Sequence, residues 1–147
     1  MHTLIRLLKP GNFFTICLSF LILAVGFSEV CAQENDGNAK KLAITEAVMC
    51  EEIKDYAPLN KAAVFSISAG KVYCFTEFDP VPRDMFIYHS WYRRDRLITT
   101  RRLSLKTPEW SVFSTIQLRQ ADKGPWRVEV KDHNGRIIKI IKFSITE

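Results

Sequence analysis

The sequence predicts an all-β fold: an immunoglobulin-like antiparallel β-sandwich of about eight strands, with a small β-barrel as the alternative. Three observations predict it. Apolar and polar residues alternate with a period of two in short stretches beyond residue 41, clusters of turn-forming residues separate those stretches at near-regular spacing, and no helical period competes with them. The clearest stretch lies near the end of the chain. Trp126, Val128 and Val130 alternate with Arg127, Glu129 and Lys131, which puts one face in a core and the other in water. Asn134-Gly135 then offers the residues that best tolerate positive φ, as a two-residue hairpin turn requires, and an apolar strand follows over 137–145.

The earlier elements follow the same reasoning. A first strand is expected over 42–50, and residues 51–60, with Asp55, Pro58 and Asn60, read as a connection or a short helical turn. A second strand spans 64–69, Gly70-Lys71 turns the chain, and a third spans 72–78. Pro80 and Pro82 lack the N–H groups a central ladder needs, so 79–84 is a loop. Residues 85–92 are dense in the aromatic and β-branched side chains that suit a pleated surface, and Arg94-Asp95 is the turn into a strand over 97–105. A proline-containing loop over 106–109 leads to a strand over 110–118, and 120–124 leads into the hairpin.

The N-terminus is organised differently. Arg6 and Lys9 precede an apolar run over 13–27, and Val30-Cys31-Ala32 supplies small residues before a polar stretch. A basic start, a short apolar run and small residues at the cleavage positions predict a secretory signal peptide over 1–32, cut after Ala32. An uncleaved anchor is the other reading, although the run is shorter than the ~20 residues that span a bilayer as a helix. A disordered leader over 33–41 and one domain over 42–147 complete the expected organisation, and the destination is the periplasm or the exterior.

Cleavage would remove Cys17 and Cys31, leaving Cys50 and Cys74. Two cysteines in an oxidising compartment predict one disulfide, which would close a loop of about 25 residues and contribute roughly 3 to 4 kcal/mol; two reduced, buried thiols are the alternative. Losing Arg6, Lys9 and Glu29 takes the formal charge from +5 to +4. That modest excess favours anionic envelope polymers or headgroups, and the compartment disfavours nucleic acid.

Several landmarks recur in one order: Cys50-Glu51-Glu52-Ile53, Tyr73-Cys74-Phe75-Thr76-Glu77-Phe78, His89-Ser90-Trp91, Trp110-Ser111-Val112-Phe113-Ser114, Gly124-Pro125-Trp126-Arg127-Val128-Glu129-Val130, then Gly135 and Phe143. In this the chain resembles the bacterial family known as domain of unknown function 2914, over residues 42–145. The resemblance implies an exported or membrane-attached bacterial protein and brings no established activity. Lys54-Asp55 stands where many members carry an arginine, so no role is carried over to that position.

Two constellations are candidate sites. His89 and Trp91 lie two apart on one strand and share a face, and Glu77 and Arg127 on other strands could join His89 in a polar cluster. Such a cluster would suit a sugar ring or a charged peptide; equally, Trp91 and Trp126 would plug the core while Glu77 and Arg127 pair at its rim. The second constellation is Arg93, Arg94, Arg96, Arg101, Arg102 and Lys106, interrupted only by Asp95, with Tyr88 and Tyr92 close by for stacking. It reads as an anion patch or as charge that protects an edge strand.

No strained nucleophile elbow surrounds a serine and no His/Cys/Asp/Glu spacing suits a metal, so neither a metal nor a cofactor is expected. The functional expectation is an exported, non-catalytic module that binds a protein or anionic polymer of the envelope, through residues 80–82 and the hairpin at Arg93 to Arg96. The alternative is a glycan-acting hydrolase with Glu77 as acid and His89 or Asp79 assisting.

Overall fold

The computed structural model describes residues 40–147. The expected signal peptide and all but the end of the expected leader lie outside these residues. Among the described residues nine strands form two sheets: β1 (Ile44–Lys54), β2 (Ala57–Lys61), β3 (Val64–Ser66), β4 (Lys71–Phe78), β5 (Met85–Arg93), β6 (Arg96–Leu105), β7 (Trp110–Gln117), β8 (Gly124–Lys131) and β9 (Ile137–Thr146). One sheet has the order β2-β1-β4-β7 and the other β3-β9-β8-β5-β6. Only β3 runs parallel to its neighbour, β9; the other pairs are antiparallel. Leaving aside β2 and the short β3, the order β1-β4-β7 facing β9-β8-β5-β6 is that of an immunoglobulin-like sandwich. The barrel alternative is not what the chain forms.

The alternating pattern places the core. Met49, Cys74, Trp91, Trp126, Val128 and Phe143 belong to one cluster of inward side chains, and Phe78, Val81, Ile87, Leu105, Val112 and Val130 to a second. Phe143 joins the aromatic residues of the first: it stacks on Trp126 at 6.0 Å and meets Trp91 and Phe65 edge-on at 5.9 and 6.2 Å. Trp91, on β5, takes the between-sheets place that a core tryptophan holds in such domains.

Three expectations are corrected. The stretch 51–60 is not a connection, because β1 runs on to Lys54 and pairs back on β2 through Asp55 and Tyr56, both at positive φ. That pair makes the two-residue turn whose twist suits a hairpin. Residues 67–69 leave the expected second strand as a 3-10 turn, capped by the Ser66 side chain and ended by Gly70 at φ +72. The final hairpin does not use a two-residue turn. Only Gly135 of the Asn134-Gly135 pair has positive φ, and Asp132 bridges the loop, its Oδ1 accepting from the backbone N–H groups of Asn134 and Arg136 at 2.9 Å. The result is a three-residue loop closed by a left-handed glycine.

The predicted disulfide is also corrected: Cys50 and Cys74 are free and buried. Register explains why. Cys50 lies opposite Tyr73 and Cys74 opposite Met49 on the paired strands β1 and β4, so the two thiols leave opposite faces of one sheet. Cys74 points into the core with Met49, and Cys50 is packed under the outer face. Burial pushes the Cys50 thiol up to about 11 and the Cys74 thiol further in the same direction. Both are therefore protonated, which removes them as nucleophiles.

Candidate functional site

The expected cluster of Glu77, His89 and Arg127 does not assemble, because strand alternation sends the three to different places. His89 points between the sheets and is 0 % exposed. It bridges two strands of the facing sheet, with Nε2 3.1 Å from Thr76 Oγ1 and Nδ1 2.9 Å from Ser114 Oγ. Trp91 Nε1 donates to the same Ser114 Oγ at 3.0 Å. A self-consistent order of donors runs from Trp91 to Ser114, from the Ser114 hydroxyl to His89 Nδ1, and from His89 Nε2–H to Thr76. Burial lowers the His89 pKa to about 3, so the ring is neutral in this network. A serine beside a histidine suggests catalysis, but among the described residues no carboxylate completes the set, and nothing of the ring reaches solvent. This is a polar bolt between the sheets: among the described residues, no buried side-chain nitrogen or oxygen lacks a partner.

Glu77 faces outward on the four-stranded sheet, where Thr45 Oγ1 donates to its Oε2 at 3.1 Å. It lines a pocket of about 540 Å3 with Asp79, Glu109, Tyr56 and Trp110. Arg127 faces outward on the other sheet. It pairs with Glu129 through Nε at 2.9 Å and with Asp95, not with Glu77.

That second outer face gathers charge and aromatic surface. On β5 the outward residues are Phe86, Tyr88, Ser90 and Tyr92; on β8 they are Arg127, Glu129 and Lys131, with Tyr88 opposite Lys131 and Tyr92 opposite Arg127. Arg102 of β6 and Lys142 of β9 extend the surface on either side. The Arg127 guanidinium lies 4.2 Å from the Tyr92 ring centre, with Lys131 Nζ at 5.4 Å, and the Arg102 guanidinium lies 3.9 Å from Phe86. Phe86 in turn meets Tyr88 and His133 edge-on. Among the described residues, Arg94, Arg102, Arg127, Lys131 and Lys142 oppose only Asp95 and Glu129 on this face, and Glu129 is nearly buried beneath the cations. Burial alone would raise the Glu129 pKa; hydrogen bonds from Lys131 and Arg127 outweigh it and hold the carboxyl below its ordinary value. Bonds to Glu129 raise both cations in turn, so all three stay charged at neutral pH.

The remaining basic residues do not form one patch. Arg93 turns inward at the end of β5 and meets Asp122 at 3.4 Å. Arg94 sits in the β5–β6 turn over Gly124, and Arg96 is exposed beside it. Arg101 lies opposite His89 in register, so it leaves the edge strand on the side facing β7, away from Arg102. Lys106 pairs with Asp84 at 2.7 Å. Of the expected binding residues, the structure thus joins Tyr92, Arg94 and Arg102 on one face and buries His89 and Trp91. The expectation missed Phe86, Lys131 and Lys142, although the period of two along 86–92 and 127–131 marks the first two as outward-facing. Among the described residues no group of three or more His, Cys, Asp or Glu side chains could hold a metal ion.

Residues 84–145 match the family described as protein of unknown function (DUF2914), the family the sequence resembles. The match begins just before β5 and ends in β9, so it takes in every strand of the cation and aromatic face, while β1 to β4 lie outside it. No curated protein matches the chain.

Proposed function

We propose that this DUF2914-matching sandwich is an exported, non-catalytic module that binds an anionic polymer of the bacterial envelope across the outer face of β5, β6, β8 and β9. One observation carries the reading: guanidinium groups placed over aromatic rings, Arg102 3.9 Å from the Phe86 ring centre and Arg127 4.2 Å from that of Tyr92, with unpaired cations on either side. A guanidinium fixed against a ring keeps N–H donors directed outward in its plane, and these match carboxylate or phosphate oxygens two at a time. Arg102 is held over Phe86 and, among the described residues, forms no ion pair; Lys142 on the other side forms none either. Repeated acidic groups along a chain would bridge these two cations across the strands. The export step rests on the N-terminal sequence.

The test is a titration of the full chain with polygalacturonate, a polymer of carboxylated sugars, at low and moderate salt. Binding should weaken with salt and fall by at least about tenfold in Arg102→Glu/Lys142→Glu. Lys54→Glu, on the other sheet, should bind as the parent does. A loss in Lys54→Glu about half as large in free energy as that of the double variant, in proportion to the charge changed, would mean that net charge alone, not this face, governs binding.

A second reading, a glycan-acting hydrolase, is favoured by the pocket that Glu77 shares with Asp79 and Glu109, where Trp110 and Tyr56 offer exposed aromatic surface. Two carboxyl groups and a sugar platform are what such chemistry uses. His89 takes no part in this reading, being buried between the sheets. Release of reducing ends from an oligosaccharide panel, abolished by Glu77→Gln, would support it; absence of turnover across the panel would end it.

A further inference from the structure

The end of the sandwich that holds Lys40 carries a further pocket, which adjoins the cation and aromatic face only at His133, the neighbour of Phe86. It has a volume of about 560 Å3 and lies between the loop after β4 and the loop joining β8 to β9. That is within the range of about 300–1,000 Å3 of small-molecule sites. Its floor is apolar: Leu42 and Met85 are half-buried against the Phe78, Val81 and Ile87 core cluster, and Ile138 remains 38 % exposed beside them. Among the described residues, nothing fully caps the core at this end.

The rim is basic, with Lys40, Lys41, Arg83 and Arg136 around the floor and His133 among them. The pocket's one acid, Asp132, is already committed. Its Oδ2 accepts from Arg136 Nε at 3.0 Å and its Oδ1 holds the loop backbone. Asp84, next to Arg83, is occupied by Lys106 Nζ at 2.7 Å and the Thr107 N–H at 3.2 Å. Among the described residues, Lys40, Lys41 and Arg83 form no ion pair. A polyanion would satisfy the rim and leave the floor wet; a neutral apolar molecule would cover the floor and leave three cations without a counter-charge. An amphiphile satisfies both.

We propose that this pocket binds an acyl chain bearing an acidic head group, the chain lying along Leu42, Met85 and Ile138 and the carboxylate or phosphate held by Arg83 and Lys41. Such a molecule could come singly from solution or from an anionic bilayer, and the test separates the two. Dodecanoate, kept below its micelle concentration, is titrated into the full chain. One equivalent should bind, while acetate, which lacks the tail, and dodecyl maltoside, which lacks the charge, should bind at least about tenfold more weakly. Lys41→Glu/Arg83→Glu and, separately, the exposed change Ile138→Ser should each weaken dodecanoate by about tenfold or more. In parallel, sedimentation with phosphatidylglycerol vesicles compares the parent with Lys41→Glu/Arg83→Glu, so that the N-terminal apolar run is the same in both proteins. Dodecanoate binding without a difference on vesicles assigns the ligand to solution, and a difference on vesicles assigns it to the bilayer. No response in either arm, or responses that neither set of changes alters, overturns the proposal. Neither arm uses Arg102 or Lys142, so failure here leaves the polymer-binding face untouched.

Discussion

Acidification tests the inter-sheet network directly. His89 is 0 % exposed, and burial holds its pKa at about 3, whereas the same side chain in an unfolded chain titrates near pH 6.5. Below that pH the unfolded state takes up a proton that the folded state refuses. The unfolded state then binds more protons, and stability falls as pH falls. The loss starts at about pH 6.5 and continues toward the folded pKa, and the carboxylates with depressed values, Asp84, Glu129 and Asp132, add losses of their own only below about pH 4.5. Between those limits one proton is linked, and at about 1.4 kcal/mol per pH unit the domain should lose on the order of 2 to 3 kcal/mol. Urea unfolding followed by tryptophan fluorescence, stepped through this interval, measures the loss. His89→Gln keeps two hydrogen-bonding ends without a titrating ring, and its stability should be nearly flat over the same interval. Equal slopes for parent and variant would refute the assignment of a buried neutral imidazole.

Three further outcomes follow from the packing. Trp91→Ala should cost about 3 to 5 kcal/mol, because the indole is 0 % exposed, meets Phe143 edge-on and donates to Ser114; chemical denaturation measures it. Cys50 and Cys74 should resist a thiol reagent in the folded chain and both react in denaturant, with the added mass found on the peptides that carry them and without prior reduction, since they leave opposite faces of one sheet. Gly135→Ala should destabilise by about 1 kcal/mol through backbone strain alone, since φ is +81 and an added Cβ would meet nothing within 4 Å.

The parts of the fold that were legible in sequence are those where one face is buried and the other is not. Residues 126–130 alternate, 85–92 are dense in aromatic and β-branched side chains, and both form strands within a residue or two of the expected limits, as do 72–78 and 97–105 between their turn residues. The β1–β2 hairpin was hidden because its turn residues, Asp55 and Tyr56, do not advertise positive φ, and because β2 is exposed along most of its length. The cysteines misled because counting them ignores register: a shift of one position on an antiparallel pair reverses the face, and Cys50 and Cys74 are offset by one.

The candidate sites divided along the same line. That His89 and Trp91 share a face was readable from their spacing, but whether that face looks inward or outward depended on Thr76 and Ser114 across the sandwich. Sequence places Glu77 and Arg127 on other strands than His89 without saying which sheet; they lie on different sheets with both side chains outward. Arg101 and Arg102 look equivalent in a run of cations. Alternation separates them, and only Arg102 reaches Phe86 and the shared face. The second row of cations, Lys131 and Lys142, becomes part of the site only once β8 and β9 are placed beside β5.

The most direct test of the polymer-binding face is a backbone amide chemical-shift map of the chain titrated with polygalacturonate. The shifts should concentrate at Tyr88, Tyr92, Arg102, Arg127, Lys131 and Lys142, the strands of one outer face. Shifts gathered around Glu77 and Trp110 instead, or none up to saturating polymer, would contradict it.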